Sequence, residues 1–204
     1  MNVFYNANGI GDTLIMNIKD VELDLRDFEK TGDVVRIFNS ETNETVGYNV
    51  FHVSSYGEIK DNGAVELTDD VKTLIQEAFM KNGVQENVEL ENRPKFVVGY
   101  VEAKEKHPNA DKLSICRVNV GSEILQIVCG APNVEADQKV VVALIGAVMP
   151  SGLVIKQAAL RGVESTGMIC SAKELALPNA PEEKGILVLD DTYEIGSEFT
   201  SEVK

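Results

Sequence analysis

The chain has 204 residues, 44% of them hydrophobic and 25% charged, which is the composition of an ordinary globular protein rather than a disordered one. Its 19 basic and 33 acidic side chains give a formal net charge of −14, and this average argues against a nucleic-acid ligand because phosphate binding requires clustered lysine and arginine. The longest uncharged run, residues 140–155, contains Gly146, Pro150 and Gly152 and is too short to span a membrane.

The beginning of the chain predicts strands. Residues 2–6 and 12–19 alternate polar and apolar side chains, as half-buried strands do, and the turn-forming residues 6–9 connect them. Residues 34–38 and 45–53 predict a second strand pair.

The clearest predicted element is a helix that follows Thr68. Thr68 is a good N-cap, and the two acidic residues after it favour the positive end of the helix dipole. Apolar side chains then recur at helical spacing, at Val71, Leu74, Ile75, Ala78 and Phe79. Asn82-Gly83 predicts the end of the helix, and the polar residues 85–94 are interpreted as a linker. We therefore expect a small α+β domain at residues 1–90 and a second domain at 91–204.

The second domain predicts mostly strands. The apolar segments that indicate them are residues 96–103, 113–120, 124–129, 140–144 and 168–171. About five short strands with glycine-containing turns between them are typical of a small closed barrel. A short helix is expected at residues 172–175. The whole chain thus predicts an α+β N-terminal domain followed by an all-β five-stranded barrel.

Charge is distributed unevenly along the chain. Residues 1–92 hold 7 basic and 18 acidic side chains, a net charge of −11, and residues 174–204 hold 2 and 8, a net charge of −6. Residues 93–173 hold 10 basic and 7 acidic side chains, a net charge of +3. The middle block is therefore the electrostatically plausible place for a phosphate backbone.

No metal, cofactor or catalytic site is expected. Residues 9–12, Gly-Ile-Gly-Asp, lack the third glycine and the following helix of a dinucleotide loop, so a hairpin turn is the better interpretation. The two histidines, His52 and His107, show no zinc-ligand spacing with any cysteine. The chain lacks a P-loop and a nucleophile elbow, and no small-molecule substrate is expected.

The cysteines indicate the cellular compartment. Their number is three, an odd count with no C-x-x-C pair, which favours reduced thiols in a cytoplasmic protein. Cys116 and Cys129 lie in strand-like apolar segments, so buried, unreactive thiols are favoured over a catalytic nucleophile. The absence of a signal peptide agrees with this location, since the first basic residue is Lys19.

Three segments of the positive block, residues 107–113, 128–134 and 160–175, combine turn residues with polar and charged side chains. A loop with Lys112 and a strand with Arg161 are able to shape one groove that offers cations to phosphate. From chemistry alone, ordinary turns of a barrel are the better explanation.

Four strings in order nevertheless resemble the EMAP II-type tRNA-binding OB-fold: HPNADKLSICRVNVG, LQIVCGAPNV, VALIGAVMPSG and LRGVESTGMICSAKEL. The resemblance covers residues 94–201 and is nearest to the module of the bacterial phenylalanyl-tRNA synthetase β chain. The whole chain resembles the stand-alone bacterial YtpR-type proteins, in which a small extra domain precedes this module. The family implies a five-stranded barrel that binds the outside corner of L-shaped tRNA largely without regard to sequence.

Six side chains form the predicted RNA site, and they are Lys112, Ser165, Met168, Arg161, Asn109 and Asn133. The first three match a lysine in the A-D-K-L string and a serine and a methionine in the S-x-x-M string, which the resemblance implies as RNA contacts. Arg161 is added for its charge, and the two asparagines for their loop positions.

Each predicted contact has its own chemistry. Lys112 and Arg161 are expected to neutralise phosphates and make binding salt-dependent. Ser165 is expected to donate a hydrogen bond to a phosphate or a 2′-hydroxyl. Met168 fits either the face of a sugar or base, or the core of the barrel.

The leading hypothesis is a non-catalytic tRNA-binding protein whose OB-fold recognises backbone and shape. The acidic N-terminal domain is expected to limit non-specific RNA binding or to meet a protein partner. Two alternatives stay open. One is a protein-interaction or dimerisation module, and the other is a tRNA-linked enzyme, which requires Tyr48, His52 and Tyr56 to converge on a pocket.

Overall fold

The computed structural model describes residues 1–85, 88, 90 and 94–200. The chain divides into two compact units, Met1–Asn92 and Arg93–Lys204. Most of the predicted linker, including the predicted boundary after residue 90, lies outside the described residues, which omit 86, 87, 89 and 91–93. Each unit has apolar core clusters of its own.

The first unit is built on a six-stranded antiparallel sheet. Its strands are β1 (Asn2–Tyr5), β2 (Thr13–Asn17), β3 (Arg26–Thr31), β4 (Val34–Asn39), β5 (Thr45–Phe51) and β6 (Gly63–Val65). They are arranged in the order β3-β4-β5-β2-β1-β6. β3 escaped prediction because it is exposed along its whole length and has no apolar face. The unit is therefore mostly β with one helix, which corrects the predicted α+β balance.

The helix of this unit, α1 (Asp69–Lys81), follows its sequence signals closely. The Thr68 side chain accepts a hydrogen bond from the Val71 N–H (3.4 Å), and two acidic residues occupy the first turn. The five apolar residues predicted for its inner face are all buried. Phe79 packs on the fully buried Tyr48 of β5, with ring centroids 4.8 Å apart. The helix thus covers one face of the sheet.

Among its described residues, the second unit contains a six-stranded antiparallel sheet, in which five strands follow one another and a short sixth pairs beside them, and a separate two-stranded hairpin. The five strands are β7 (Phe96–Lys106), β8 (Ser114–Asn119), β9 (Ile124–Cys129), β10 (Lys139–Leu144) and β13 (Gly167–Ile169). The hairpin strands are β11 (Ala158–Leu160) and β12 (Val163–Ser165), and the sixth strand of the sheet is β14 (Val188–Leu189). The sheet order is β13-β10-β7-β8-β9, β14 pairs with β10, and β11 pairs with β12 as a hairpin.

β10 lies between two apolar layers. Val140 and Val142 belong to the cluster that β7, β8 and β9 share, while Val141 and Ala143 face a second cluster with Ala147, Met149 and Cys170. All four residues of this run are fully buried. The first part of the long uncharged segment, residues 140–144, is therefore a strand buried on both faces. In the part of the chain that the structure describes, no helix is long and apolar enough to cross a membrane.

One expectation for this unit is met in part, and another needs correction. The sheet order has two ends, so ladder pairing alone does not produce the closed five-stranded ring. Residues 172–176 form a hydrogen-bonded turn instead of a short helix. Ser171 and Glu174 exchange the bonds of a helix-starting capping box, but Ala176 has a φ of 52°, which ends any helix at once.

Candidate nucleic-acid interface

The candidate interface is formed where two connections of the second unit meet. Between β7 and β8 the chain turns through residues 107–113, and the His107 N–H donates to the Leu113 carbonyl (3.1 Å) to close this loop. The His107 ring is buried, at 5% exposure. Its Nε2 lies 2.9 Å from the carbonyl oxygen of Leu160, at the end of β11. Residues 107–113, hereafter the first loop, are thereby joined to the β11–β12 hairpin.

The tip of that hairpin is a two-residue turn with special backbone geometry. Arg161 has a φ of 51° and Gly162 a φ of 86°, both in the left-handed region that a tight hairpin turn requires. Glycine adopts this conformation freely, whereas a non-glycine residue such as Arg161 is strained there. Asn109 Nδ2 donates a hydrogen bond to the Arg161 carbonyl (3.3 Å), so the first loop also holds the turn.

Lys112 and Arg161 present positive charge on the first loop and at the hairpin tip. Both side chains are exposed, and neither makes a hydrogen bond or ion pair with any residue that the structure describes. Other cations of the same unit are engaged: Lys104 pairs with Glu135 (2.8 Å), and Lys139 donates to the carbonyls of Asp191 and Tyr193. The two residues predicted to contact phosphate are therefore available to bind a polyanion.

Ser165 does not face solvent. Its side chain is buried, its hydroxyl donates to the Gly167 carbonyl (3.1 Å), and its Oγ accepts the N–H of Val128 (3.1 Å). The hydroxyl therefore bonds β12 to β9, and its single proton is already used. In this arrangement the Ser165 hydroxyl has no proton left for the hydrogen bond to RNA that the sequence predicted.

Met168 and Asn133 line a cleft of about 850 Å³ between the 129–133 segment and residues 171–174 and 181–188. Met168 is half-buried and packs against the core cluster that contains Ala143 and Cys170. The Asn133 carboxamide exchanges two hydrogen bonds with the backbone of Ile186 (2.8 and 3.1 Å). Asn133 therefore fixes a cleft wall, while Met168 offers part of an apolar surface.

Acidic groups limit the electrostatic character of this cleft. Lys173 pairs with Glu182 (3.1 Å), and Glu174 accepts bonds from the Ser171 N–H and hydroxyl (2.7 Å each). Glu183 and Lys184 also line it. The cleft lining thus mixes acidic and basic side chains, whereas the first loop and the hairpin tip each present a cation without a partner among the described residues.

All three cysteines are buried and unpaired. Burial raises the pKa of Cys116 to about 11 and that of Cys170 to about 12, and it also raises the pKa of Cys129. These thiols are therefore protonated at neutral pH and unsuited to nucleophilic chemistry. Among the described residues, no group of three or more His, Cys, Asp or Glu side chains is placed to hold a metal ion.

Of the residues that an enzymatic first unit would need, His52 and Tyr56 meet at Asp33, but they do not converge with Tyr48 on a described cleft. Tyr48 is part of the core, the His52 side chain is 72% exposed and 3.0 Å from Asp33, and Tyr56 donates to Asp33 (2.9 Å). None of the three lines either of two clefts in this unit, one between α1 and the segment after it and one beside β3 and β4. Hydrogen bonds from His52, which has the larger effect, and from Tyr56 lower the pKa of Asp33. The three side chains thus form a hydrogen-bonded network around an ionised carboxylate.

His107 is the site residue that sequence reasoning missed. It was considered only as a zinc ligand, whereas the structure places it between the first loop and the hairpin. The sequence signal for this role is weak, because a histidine that precedes a proline does not indicate a hydrogen-bond partner 53 residues away.

Comparisons with known proteins agree with the two-part organisation. A family model described as "Putative tRNA binding domain" matches residues 96–198, and one described as "Domain of unknown function (DUF4479)" matches residues 22–91. The Bacillus subtilis (strain 168) protein described as "Putative tRNA-binding protein YtpR" is 62% identical over 199 residues, 98% of this chain and 99% of that protein.

Other relatives match about half of the chain. The phenylalanine–tRNA ligase beta subunit of Nitratidesulfovibrio vulgaris is 55% identical over 109 residues, 53% of this chain and 13% of that subunit. Among solved structures, the C-terminal domain of Plasmodium vivax p43 is 28% identical with a TM-score of 0.38, covering 51% of this chain and 58% of that one. A MetRS related protein from Pyrococcus horikoshii is 21% identical with a TM-score of 0.40, covering 52% and 88%.

In the second unit, the first loop and the hairpin are joined and carry two exposed cations. The tRNA-binding family model matches this same unit. The chain is therefore a protein with a tRNA-binding domain. The chain belongs to the YtpR family of tRNA-binding proteins, whose Bacillus subtilis member it matches over nearly its full length. The resemblance drawn from the four strings is thereby confirmed, and so is the relation of the second unit to the synthetase beta subunit.

Proposed function

We propose that this chain is a non-catalytic protein of the bacterial cytoplasm that binds structured tRNA through backbone and shape, using its second unit. The observation that carries this proposal is a pair of exposed cations, Lys112 and Arg161, which have no partner among the described residues and lie on two loops that hydrogen bonds join. Cations held on a rigid scaffold favour phosphate contacts, which position an RNA without reading its bases. The match to the tRNA-binding family supports tRNA as the RNA.

The strand arrangement supports an OB-fold barrel for the second unit. The Thr166 N–H donates to the Gln126 carbonyl (2.9 Å) and the Ser165 hydroxyl accepts the Val128 N–H (3.1 Å). Both bonds join β9, one end of the sheet order, to residues that directly precede β13, the other end. We infer that β7, β8, β9, β10 and β13 form the five strands of this barrel. We assign residues 1–90 and 91–204 as the domains, which the two compact units support.

Fewer residues are proposed to contact RNA than the sequence predicted. Lys112 and Arg161 bind phosphate, Asn109 supports the hairpin tip and is exposed to the same RNA strand, and Met168 offers an apolar surface in the adjoining cleft. Ser165 and Asn133 hold the scaffold, since their polar groups are bonded within the chain.

Charge reversal in the full chain tests this function. Binding of fluorescein-labelled unfractionated bacterial tRNA is measured by anisotropy at about 50 and about 200 mM KCl, a range over which phosphate contacts lose much of their strength. Lys112→Glu and Arg161→Glu are each expected to weaken binding about tenfold at the lower salt concentration. Lys60→Glu is the matched control, because Lys60 is an exposed lysine of the first unit.

Two results would contradict the proposal. One is a wild-type chain that fails to bind tRNA at low salt, and the other is equal affinity of the wild type and both site variants. A loss as large in Lys60→Glu as in Lys112→Glu would show that net charge, rather than a site, governs binding.

A further inference from the structure

A buried histidine connects the two cation-bearing loops. The His107 Nδ1 lies 3.0 Å from the backbone nitrogen of Asn109, and its Nε2 lies 2.9 Å from the carbonyl oxygen of Leu160. A backbone N–H only donates and a carbonyl only accepts, so Nδ1 is the acceptor and Nε2 carries the proton. The ring is therefore the neutral Nε2–H tautomer, and each of its nitrogens has one fixed partner.

The two bonds of the ring serve different parts of the site. The bond at Nδ1 is local, since Asn109 is two residues away and belongs to the same loop. The bond at Nε2 is long-range and reaches the hairpin next to Arg161. Asn109 adds a second bridge, through its Nδ2, to the Arg161 carbonyl itself (3.3 Å). Consecutive residues of the hairpin are thus held from one loop.

We propose that His107 is a positioning residue for RNA binding, which holds Lys112 and Arg161 in a fixed relative arrangement so that both cations engage one phosphate run together. This inference rests on the proposed function. His107 itself touches no RNA, because it is buried and both ring nitrogens are engaged. Its effect passes through the loop and the hairpin.

The geometry gives the bridge a role beyond general stability. Lys112 and Arg161 lie far apart in sequence, and Arg161 occupies a left-handed conformation that a non-glycine residue keeps only when neighbours hold it. Because the loop and the hairpin are joined, RNA orders them as one unit and the conformational entropy is lost once for both contacts, whereas two independent loops would each lose their own. The bridge therefore couples the two phosphate contacts.

A matched pair of variants separates the two ring bonds. His107→Gln places an amide nitrogen near the position of Nε2 and keeps the donor to Leu160, but it lacks the acceptor for Asn109. His107→Asn places an amide oxygen near the position of Nδ1 and keeps the local bond, but it cannot reach Leu160. Both remove an imidazole from the same buried position, so a merely structural effect is similar in the two.

The decisive readout is the coupling between the two cations. Binding of the full chain to labelled unfractionated tRNA is measured for Lys112→Ala, Arg161→Ala and the double variant, in the wild-type, His107→Gln and His107→Asn backgrounds. In the wild type we expect the double variant to lose about fivefold less affinity than the product of the single losses, as coupled sites do. We expect this coupling to persist in His107→Gln and to vanish in His107→Asn.

Asn109→Ala supplies a second background should the His107 variants be poorly folded by circular dichroism. Loss of a direct RNA contact from Asn109 would weaken all four proteins of the cycle equally and would cancel, so only a positioning effect reduces the coupling. A reduced coupling in this background supports the bridge. Ring ¹⁵N shifts of wild-type His107 are expected to show protonated Nε2 and unprotonated Nδ1 in the absence of RNA.

The results that overturn the inference differ from those that overturn the function. If wild type binds tRNA but the coupling is absent, or is the same in His107→Gln and His107→Asn, His107 does not position the cations. A ring with Nδ1 protonated and Nε2 unprotonated has the same meaning, because it has no proton to donate to the Leu160 carbonyl. If wild type does not bind tRNA at low salt, the proposed function fails, and this inference fails with it.

Discussion

Asn82, the residue at the end of α1, accepts a hydrogen bond on Oδ1 from the backbone N–H of Asp33, 49 residues earlier in the chain (2.8 Å). Its Nδ2 donates to the Tyr56 hydroxyl and to the Ala78 carbonyl (2.7 Å each). One carboxamide thus caps the helix and fixes it to the β3–β4 turn. Gly32 of that turn has a φ of 59°, and a Cβ at this position would overlap the Asn82 oxygen.

Gly32→Ala is expected to destabilise the first unit by about 2 kcal/mol or more, because the left-handed backbone and the displaced Asn82 contribute together. Gly11→Ala is the control, since Gly11 also has a positive φ, of 86°, but a Cβ added there would meet no other atom within 4 Å. Urea unfolding of both variants measures the difference. Equal losses of stability would show that the contact with Asn82 adds nothing.

Lys112→Ala and Arg161→Ala are expected to change the salt dependence of tRNA binding. Each lost phosphate contact reduces the slope of log K against log salt by about one, and the double variant reduces it by about two. Titrations at four or more KCl concentrations measure the slope. A Lys60→Ala slope equal to that of the wild type is the matched control, and an unchanged slope in Lys112→Ala would exclude this lysine from the phosphate contacts.

Ser165→Ala is expected to cost stability but not RNA affinity. The substitution leaves the part-buried Val128 N–H without its acceptor, which costs about 1 kcal/mol or more. Thermal unfolding measures this loss, and anisotropy is expected to give a tRNA affinity within about twofold of the wild type at a temperature where the variant is folded. A stable variant with strongly weakened binding would restore the serine as an RNA contact.

The native thiols are expected to resist modification at pH 8. Because the pKa of Cys116 is raised to about 11 and that of Cys170 to about 12 by burial, little thiolate forms and the reagent has no access. An aromatic disulfide reagent is expected to label all three cysteines rapidly only after denaturation. Ser151→Cys, at an exposed position, supplies a fast-reacting control. Rapid labelling of a native wild-type thiol would contradict the prediction.

Asp33 predicts a pH dependence of stability. Its pKa is lowered from 3.8 by the hydrogen bonds of His52 and Tyr56, so the folded state binds its proton more weakly than the unfolded state. The stabilisation from Asp33 is present above the unfolded pKa and is lost as the pH falls through the folded pKa. Asp33→Asn is therefore expected to be less stable than wild type at pH 7, with a difference that shrinks below about pH 4. Urea unfolding at several pH values measures this difference. A difference that does not change with pH would show that ionisation of Asp33 does not contribute to stability.

The sequence predicted elements whose signals are local. The bounds of α1 follow from Thr68, the apolar spacing and Asn82, all within one short stretch. β9 and β10 were predicted because apolar residues dominate them. β3 was missed because it has no buried face, and the β11–β12 hairpin was missed because its turn begins at Arg161, a residue type that rarely adopts a positive φ.

The candidate site was predictable as a region but not as a set of roles. Lys112 and Arg161 were found through the resemblance and through charge, both of which are visible in sequence. The burial of Ser165 was not, because its partner Val128 lies 37 residues away on another strand. The bridging role of His107 depends in the same way on a carbonyl 53 residues distant. Tertiary contacts of this kind have no local pattern.

The burial of β10 on both faces has a consequence for the unfolding of the second unit. Since alternate side chains of one strand supply two apolar layers, neither layer can open without exposing the strand that completes the other. The backbone amides of β10 are thus tied to global unfolding rather than to local opening. We therefore expect the two layers to be lost together, so that the RNA-binding surface is lost with the core as a whole.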